Sequence, residues 1–196
     1  MKIAIDIDGV LLDTIPTLND FYNRMHGTEF RVGDYRHHDL EKTWGGSKEY
    51  AVGVVEEFFK SPDVLKIMPM PYSREGIAVL SRSHELFSIT SRPESMRVLT
   101  ENFLRKNFNT FIERVIYTGQ YVAAASEMDK GRICIAEGAD LLIEDCLEIA
   151  LNAANTGLDV FLFNNSHNQL NGNYAAIPPR LLRIKGGWQE IVERLK

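Results

Sequence analysis

Short apolar runs alternate with longer amphipathic segments along most of the chain. Six of these runs have the continuous apolar character of strands that are buried on both faces of a sheet. They cover residues 2–7, 86–90, 115–117, 141–143, 160–163 and 181–184. The pattern therefore predicts a sheet of six strands.

Helical periodicity separates these runs. The apolar positions that recur at helical spacing are Ile77 and Leu80, then Met96, Leu99 and Phe103, then Ile149, Ala150, Ala153 and Ala154, and finally Trp188, Ile191, Val192 and Leu195. Strands that alternate with helices indicate a parallel sheet covered on both faces, because each right-handed crossover lays its helix over the sheet.

Residues 14–71 interrupt this alternation, because they contain no convincing strand but two helical patterns. The first lies between Pro16 and Gly27, the second ends before Pro62, and the polar residues 28–48 between them predict a long loop. We therefore expect a small helical cap inserted after the first strand. Residues 1–13 and 72–196 would form an open, mainly parallel, Rossmann-like α/β core, with the cap beside the crevice where such sheets bind ligands.

Composition and charge narrow the possible partners. The 196-residue chain has a formal net charge of -5, which gives no basic surface for a nucleic acid polymer or an anionic membrane. No window of the sequence has the roughly 20 apolar residues needed to cross a bilayer. The two cysteines, Cys134 and Cys146, form no C-x-x-C pair, so we expect neither a disulfide framework nor structural zinc, and a reduced, cytoplasmic location.

Polar groups follow three of the predicted strands at the same edge of the sheet. They are Asp6 and Asp8, Thr90 and Ser91, and Glu144 and Asp145. Any one of the acids alone would be read as a helix cap or a turn residue. Several carboxylates in one crevice, however, are stable at neutral pH only if a cation neutralises them, and carboxylates that act with a substrate phosphate favour Mg²⁺.

Three other phosphate or metal motifs do not fit the sequence. An EF-hand loop that began at Asp6 would have Val10 and Thr17 where Asp or Asn and then Glu are needed. No G-x-x-x-x-G-K-[ST] segment occurs. Neither cysteine is followed by arginine at the sixth position, which excludes the cysteine-dependent phosphatase motif.

Four short motifs, in the correct order, resemble those of the haloacid dehalogenase (HAD) superfamily of hydrolases. The first, D-x-D-G-[VT]-[LI]-x-D, is residues 6–13, and the second is Thr90 at the end of an apolar strand. The third is Lys130 at the start of a helix, and the fourth is the acid pair at residues 144–145. The resemblance covers residues 1–12 and about 85–195, and it places the superfamily's helical cap in the inserted segment.

The resemblance implies a Mg²⁺-dependent phosphomonoester hydrolase that acts through an aspartyl-phosphate. Asp6 would be the nucleophile, and Asp8 would protonate the leaving alcohol and then activate water. Asp8 also separates phosphate-ester hydrolases from the dehalogenases and ion pumps of the superfamily, which lack it. The groups that would bind the phosphoryl oxygens are Thr90, Ser91, Lys130 and the backbone amides after the first strand, at Gly9.

The implied metal ligands are the carboxylates of Asp6 and Asp145 and the backbone carbonyl of Asp8. Glu144 would bind the ion either directly or through water. Within the superfamily, the small cap, the T-S-R-P second motif and the M-P-M-P-Y segment at 68–72 resemble the 5'(3')-deoxyribonucleotidase group. The fourth motif of that group more often has two aspartates, so Glu144 departs from its pattern.

The narrower resemblance implies nucleoside monophosphates as substrates, deoxyribonucleotides among them. Phe21, Tyr22 or the loop at 28–48 would hold the base, since an aromatic ring stacks on a base with about 1–3 kcal/mol. The helical spacing of Phe21 and Tyr22 is, however, more often that of residues in the core of a cap. Arg92 would either contact the substrate or serve the turn before Pro93.

Alternatives remain open at this point. A small sugar phosphate would need polar contacts such as those of His37, His38 and Asp39, although we expect these two histidines at the surface of the cap. A phospho-accepting receiver module is less consistent with the sequence, because Lys130 precedes the acid pair at residues 144–145 and the cap has no counterpart there. The sequence leaves the exact substrate and the oligomeric state undetermined.

Overall fold

The structure is a computed structural model, and it describes residues 1–112, 114–119, 129–169 and 177–196. Its strands are β1 (Lys2–Ile5), β2 (Leu12–Asp13), β3 (Met68–Pro69), β4 (Glu85–Thr90), β5 (Val115–Tyr117), β6 (Leu141–Glu144), β7 (Asp159–Phe163) and β8 (Leu181–Ile184). Its α-helices are α1 (Thr14–His26), α2 (Glu41–Trp44), α3 (Lys48–Lys60), α4 (Ser73–Leu80), α5 (Arg97–Phe108), α6 (Lys130–Ala136), α7 (Leu147–Asn155) and α8 (Gly187–Leu195).

Six strands form one sheet in the order β5-β4-β1-β6-β7-β8, and every pairing in it is parallel. This confirms the predicted open, parallel α/β architecture, with β1 inside the sheet. The first strand is shorter than predicted, however, because the chain turns after it. The carbonyl of Ile7 accepts hydrogen bonds from the amides of Leu11, at 3.0 Å, and Leu12, at 2.9 Å.

Helices cover both faces of the sheet, as predicted. Side chains alternate along a strand, so Ile3 and Ile5 of β1 face one apolar cluster while Ala4 faces another. The first cluster includes buried residues of α4, α5 and α8, and the second includes residues of α6 and α7. No helix in the described part of the chain is both long enough and apolar enough to cross a membrane.

The helices α1, α2 and α3 lie between β1 and β4 in the sequence, and β1 and β4 are neighbours in the six-stranded sheet. Gly27, whose φ of 63° is left-handed, caps the C-terminus of α1. Ser47 caps the N-terminus of α3, where its Oγ accepts a hydrogen bond from the amide of Tyr50. The sequence predicted a loop between α1 and α3. The structure adds two short elements to that loop, a 3-10 helix at Val32–Asp34 and the helix α2.

A short antiparallel ribbon of β2 and β3 lies where the chain enters and leaves this helical region. Two-residue strands are too short to show a period, so no pattern in the sequence predicts them. The apolar cluster of α4, α5 and α8 continues without a break into residues of α1 and α3. The division into a core and a cap at residues 14–71 stays a prediction.

Candidate active site

One cavity of about 120 Å³ brings together the residues that the motifs singled out. It lies at the carboxyl ends of β1, β4 and β6, which are neighbours in the sheet, so side chains distant in sequence meet at one edge. The predicted residues that line it are Asp6, Asp8, Gly9, Thr90, Ser91, Arg92, Lys130, Glu144 and Asp145.

Three buried carboxylates form the floor of this cavity. One oxygen each of Asp6, Glu144 and Asp145 lies within 4.8 Å of the other two. Lys130, at the first turn of α6 and only 2% exposed, donates from Nζ to Asp6 Oδ1 at 2.7 Å and to Glu144 Oε2 at 2.9 Å. The lysine therefore bridges the ends of two adjacent strands.

The cluster carries more negative than positive charge. Burial, and then the charge of Glu144, raise the pKa of Asp6 well above its usual range, although Lys130 opposes this. Burial would lower the pKa of Lys130, but the charges of Asp6 and Glu144 outweigh it and raise that pKa, so the ammonium stays protonated. One cation facing three carboxylates leaves an excess that a divalent cation would neutralise, and an all-oxygen donor set suits Mg²⁺.

Glu144 is held more firmly than the other two acids. Its Oε1 accepts from the backbone amides of Asp145, at 3.1 Å, and Cys146, at 3.0 Å, while Oε2 accepts from Lys130. Both oxygens are thus engaged by the protein, and they anchor the start of α7 to the end of β6.

Asp8 lies beside the three acids but has partners of its own. Arg92 donates from Nε to Oδ2 at 2.7 Å and from Nη2 to Oδ1 at 2.6 Å, and Thr14 donates to Oδ1 at 2.5 Å. Burial would raise the pKa of Asp8, but the Arg92 guanidinium and these hydrogen bonds outweigh it and hold that pKa below its usual range. The side chain keeps 35% of its surface exposed and lines the cavity.

Arg92 itself is buried between two parts of the molecule. Its Nη1 donates to Thr100 Oγ1 on α5 at 3.0 Å, and its guanidinium carbon lies 4.8 Å from the ring centroid of Phe59 on α3. The sequence allowed two roles for Arg92, a contact with the substrate or a structural role in the turn before Pro93. In the structure it is first of all the partner of Asp8.

The other residues of the second motif face the same cavity. Thr90 is 1% exposed, and its Oγ1 accepts from the amide of Arg92 at 3.2 Å, which leaves its hydroxyl hydrogen to donate. Ser91 is half-buried and also lines the cavity. Both hydroxyls are therefore placed near Asp6 and Lys130, where a phosphoryl group would need donors.

The predicted role of the Gly9 amide is wrong. That amide donates to the carbonyl of Leu12 at 2.8 Å, so it is not free to bind a phosphate. Space explains the glycine instead, because a Cβ at this position would lie 1.9 Å from Asp145 Oδ2 and the φ of 79° is left-handed. Only a residue without a side chain lets this turn approach the acid.

Two asparagines that the sequence analysis missed hold Asp145. Asn165 Nδ2 lies 3.1 Å from both Asp145 Oδ2 and the carbonyl of Gly9, and Asn168 Nδ2 donates to the carbonyl of Asp145 at 2.7 Å. Asn168 is 1% exposed, and Arg183 on β8 donates to its Oδ1 at 2.7 Å. Polar residues follow β7, just as polar residues follow β1, β4 and β6. This pattern could have identified the two asparagines from the sequence.

Three histidines form one side of the cavity. His37 and His38, in the segment between α1 and α3, are exposed as expected but also line it. The sequence analysis did not single out His167, whose Nε2 lies 3.0 Å from Asp145 Oδ2. Burial would lower the pKa of His167, but the adjacent Asp145 carboxylate outweighs it and raises that pKa.

Phe21 and Tyr22 do not lie where the nucleotide interpretation placed them. Phe21 packs on Phe58, with ring centroids 5.5 Å apart, and Tyr22 stacks on Trp44 at 4.2 Å. Both are 4% exposed and neither lines the cavity, so their predicted contact with substrate is corrected to a packing role within the helical region. The rings that do line the cavity are Tyr35 and Phe59.

Comparisons with known proteins agree with this architecture. No family model matches the chain, and no curated protein matches it by sequence. Among solved structures, a haloacid dehalogenase-like hydrolase from Streptococcus pneumoniae has a TM-score of 0.72 at 15% identity, covering 100% of this chain and 98% of that one. A HAD-superfamily hydrolase from Geobacter sulfurreducens has a TM-score of 0.61 at 17% identity, covering 100% and 97%.

A protein described as a predicted phosphoglycolate phosphatase, from Haemophilus somnus, also has a TM-score of 0.61, at 15% identity, covering 100% of this chain and 97% of that one. At these identities the likeness establishes the fold. The described part of the chain therefore has the α/β fold of these HAD-superfamily hydrolases.

Proposed function

We propose that the protein is a Mg²⁺-dependent phosphomonoester hydrolase that acts through an aspartyl-phosphate on Asp6. The observation that carries the proposal is the convergence of Asp6, Glu144 and Asp145 around Lys130, with Asp8 beside them in one cavity. A structural role would not require three buried carboxylates with one lysine between them, because uncompensated buried charge is costly.

Asp6 and Asp145 would hold the ion together with the backbone carbonyl of Asp8. Glu144, with both oxygens engaged by the protein, would act through water or from the edge of the site. The bound ion would neutralise the excess negative charge and polarise the phosphoryl group. A cation held there would also favour the ionised form of Asp6, against the burial that raises its pKa.

Asp6 is the nucleophile in this proposal. Lys130 occupies its Oδ1, so Oδ2 attacks phosphorus, a P–O bond to Asp6 forms, and the ester P–O bond breaks. Thr90, Ser91 and Lys130 donate to the phosphoryl oxygens, and their hydrogen bonds strengthen as negative charge develops there.

Asp8 handles the protons of both steps. It donates a proton to the departing alcohol oxygen in the first step, and in the second it takes a proton from the water that attacks the aspartyl-phosphate, which releases phosphate and restores Asp6. The ion pair with Arg92 favours the ionised form of Asp8, and this is the form that accepts the proton from water. The proton that Asp8 takes from water is the one that it gives to the alcohol of the next turnover, so the protons balance over the cycle.

The substrate class that we propose first is the (deoxy)nucleoside monophosphates. Tyr35 and Phe59, rather than Phe21 and Tyr22, would contact the base, and the apolar residues Leu18 and Val55 beside them would complete its pocket. A small phosphate ester such as a sugar phosphate is the second candidate, because His37 and His38 line the cavity and offer polar contacts. The likeness to the protein described as a predicted phosphoglycolate phosphatase also supports a small ester.

A hydrolysis screen tests the proposed function. Phosphate release is measured from dUMP, dTMP, AMP and a set of hexose and triose phosphates, with Mg²⁺ and with a chelator. We expect release that requires Mg²⁺. No release from any ester, or release unaffected by the chelator, would contradict the proposal, whereas a specificity constant for a sugar phosphate well above every nucleotide would change only the substrate.

A further inference from the structure

A second cavity, with a volume of about 260 Å³, opens beside the first, between the segment that follows α1 and the start of α7. The two cavities share His37, His38 and His167. The rings of His38 and His167 meet nearly edge to face, with centroids 5.8 Å apart. The two cavities are therefore adjacent, and a ligand that extended past these histidines would reach from the first into the second.

The volumes of the two cavities indicate that a substrate would extend over both. The first, at about 120 Å³, is smaller than typical small-molecule sites, which measure about 300–1,000 Å³. The two together reach the lower part of that range. Asp6 and Lys130 line only the first cavity, so the transferred phosphate belongs there. The second cavity is then the place for the far end of the leaving alcohol.

Arg36 supplies the available positive charge of the second cavity. Lys42 also lines it, but its Nζ is paired with Asp39 at 2.8 Å, and Glu148 adds a further negative charge. Arg36 forms no ion pair within the described residues, and it is exposed at the wall of the cavity. A ligand with a negative group would give this guanidinium the partner that the protein does not provide.

The start of α7 adds hydrogen-bond donors. Cys146, Leu147 and Glu148, at the start of this helix, line the cavity. The first amides of a helix have no partner within it and favour an anion.

His167 adds a buried donor. Its side chain is only 8% exposed, and its Nε2 lies 3.0 Å from the Asp145 carboxylate, close enough for an ion pair, but it has no partner in hydrogen-bond geometry among the described residues. This nitrogen sits on the wall that both cavities share. Arg36, the first turn of α7 and His167 thus all favour a ligand rich in acceptor oxygens.

We propose that the second cavity binds a second anionic group, a carboxylate or a phosphate, on the alcohol part of the substrate, with Arg36 as its cation. This rests on the proposed phosphatase function. Among the phosphate esters considered there, it favours those whose leaving alcohol carries another negative charge, such as a nucleoside bisphosphate or a phosphorylated hydroxy acid, over simple nucleoside monophosphates. A neutral base or sugar would leave Arg36 without a counter-charge.

Matched pairs of substrates test the proposal. Ethyl phosphate is compared with 2-phosphoglycolate, and dAMP with deoxyadenosine 3',5'-bisphosphate, so that each pair differs chiefly by one anionic group. We expect kcat/KM to be higher by about ten-fold or more for the doubly charged member of at least one pair, as one charge-assisted contact predicts. The pair that responds identifies the second anion as carboxylate or phosphate.

Arg36→Ala should reduce that ratio to nearly one. Arg31→Ala is the matched control, since Arg31 is an exposed arginine of the same segment and lines neither cavity, and it should keep the ratio of the unmodified protein. A ratio near one in the unmodified protein for both pairs, or a ratio that Arg36→Ala leaves unchanged, would overturn the second anion site.

A binding measurement separates this proposal from the proposed function. If no ester is hydrolysed, the phosphatase function fails, and calorimetry with the same pairs then decides the site. Tighter binding of the doubly charged member, lost in Arg36→Ala but kept in Arg31→Ala, supports the second cavity as an anion site. Equal affinities within both pairs would overturn it.

Discussion

Arg92 donates two hydrogen bonds to Asp8, from Nε to Oδ2 at 2.7 Å and from Nη2 to Oδ1 at 2.6 Å, although the two residues are 84 positions apart in the sequence. Phe59 of α3 covers the same guanidinium at 4.8 Å. A residue of the helical region thus packs on the arginine that fixes the proposed acid and base, so the position of α3 and the geometry of Asp8 are linked.

Removal of the Arg92 charge should shift the pH dependence of turnover. Arg92 lowers the pKa of Asp8, so Arg92→Met should raise that pKa, and Asp8 would then be protonated at a higher pH. Where the attack of water, in which Asp8 accepts a proton, limits turnover, the acidic limb of the kcat profile should move to higher pH. The plateau value of kcat should also fall by about ten-fold, because Asp8 loses the two hydrogen bonds that position it. Arg97→Met, which alters an exposed arginine of α5, is the control. An unmoved acidic limb would show that Arg92 does not act through Asp8.

Gly9→Ala should impair metal binding by displacing Asp145. The new Cβ would lie 1.9 Å from Asp145 Oδ2, a contact that requires the turn or the acid to move. Gly27→Ala separates this clash from backbone strain, because Gly27 also has a positive φ but no atom within 4 Å of the added Cβ.

We expect Gly27→Ala to lose about 1 kcal/mol of stability and keep its affinity for Mg²⁺. Gly9→Ala should lose Mg²⁺ affinity by about ten-fold or more. A thermal-shift titration with Mg²⁺ measures both effects, and equal affinities in the two variants would refute the spatial explanation.

Much of the fold could be predicted because buried parallel strands are continuous apolar runs. The bounds of β5 and β8 agree fully with the sequence pattern, and those of β4, β6 and β7 differ by one residue. The ribbon of β2 and β3 could not be predicted, since two residues have no period.

The convergence of Asp6, Thr90 and Asp145 could also be anticipated, because the carboxyl ends of parallel strands meet at one edge. Lys130 begins a helix, and only the resemblance to the HAD motifs placed it at the same site. The partners of those residues could not be anticipated in the same way. Arg92 and Asn168 reach their acids through tertiary geometry that no local pattern records. Phe21 and Tyr22 were misplaced because helical spacing shows that two residues share a face but not what that face contacts.

Asn168→Ala should loosen Asp145 without touching its carboxylate. Asn168 Nδ2 donates to the carbonyls of Asp145 and Phe163, both at 2.7 Å, and its loss would leave buried acceptors unpaired. We expect a loss of about 1–3 kcal/mol in the free energy of unfolding and a Mg²⁺ requirement raised by about ten-fold. Asn107→Ala on α5 also removes a side-chain donor to a carbonyl, but away from the cavity, and should leave the Mg²⁺ requirement unchanged. The same requirement in both variants would argue against this positioning role.

Binding of Mg²⁺ should weaken as the pH falls, starting at a higher pH than for an ordinary carboxylate site. Because burial and Glu144 raise the pKa of Asp6, a proton competes with the ion for this residue at a higher pH than it would for an ordinary carboxylate. The apparent Kd, measured by thermal shift between about pH 5 and 8, should rise by up to ten-fold for each unit of falling pH once below that pKa. A constant Kd across this range would mean that Asp6 is not a ligand.

Chemical trapping of the intermediate tests the central claim most directly. The enzyme is quenched during turnover, treated with borohydride, which reduces an aspartyl-phosphate to homoserine, and its peptides are sequenced by mass spectrometry. We expect homoserine at Asp6 only, present with substrate and Mg²⁺ and absent without substrate, while Asp6→Asn gives neither turnover nor homoserine. Homoserine at Asp8 instead, or sustained turnover by Asp6→Asn, would contradict the assignment of Asp6 as the nucleophile.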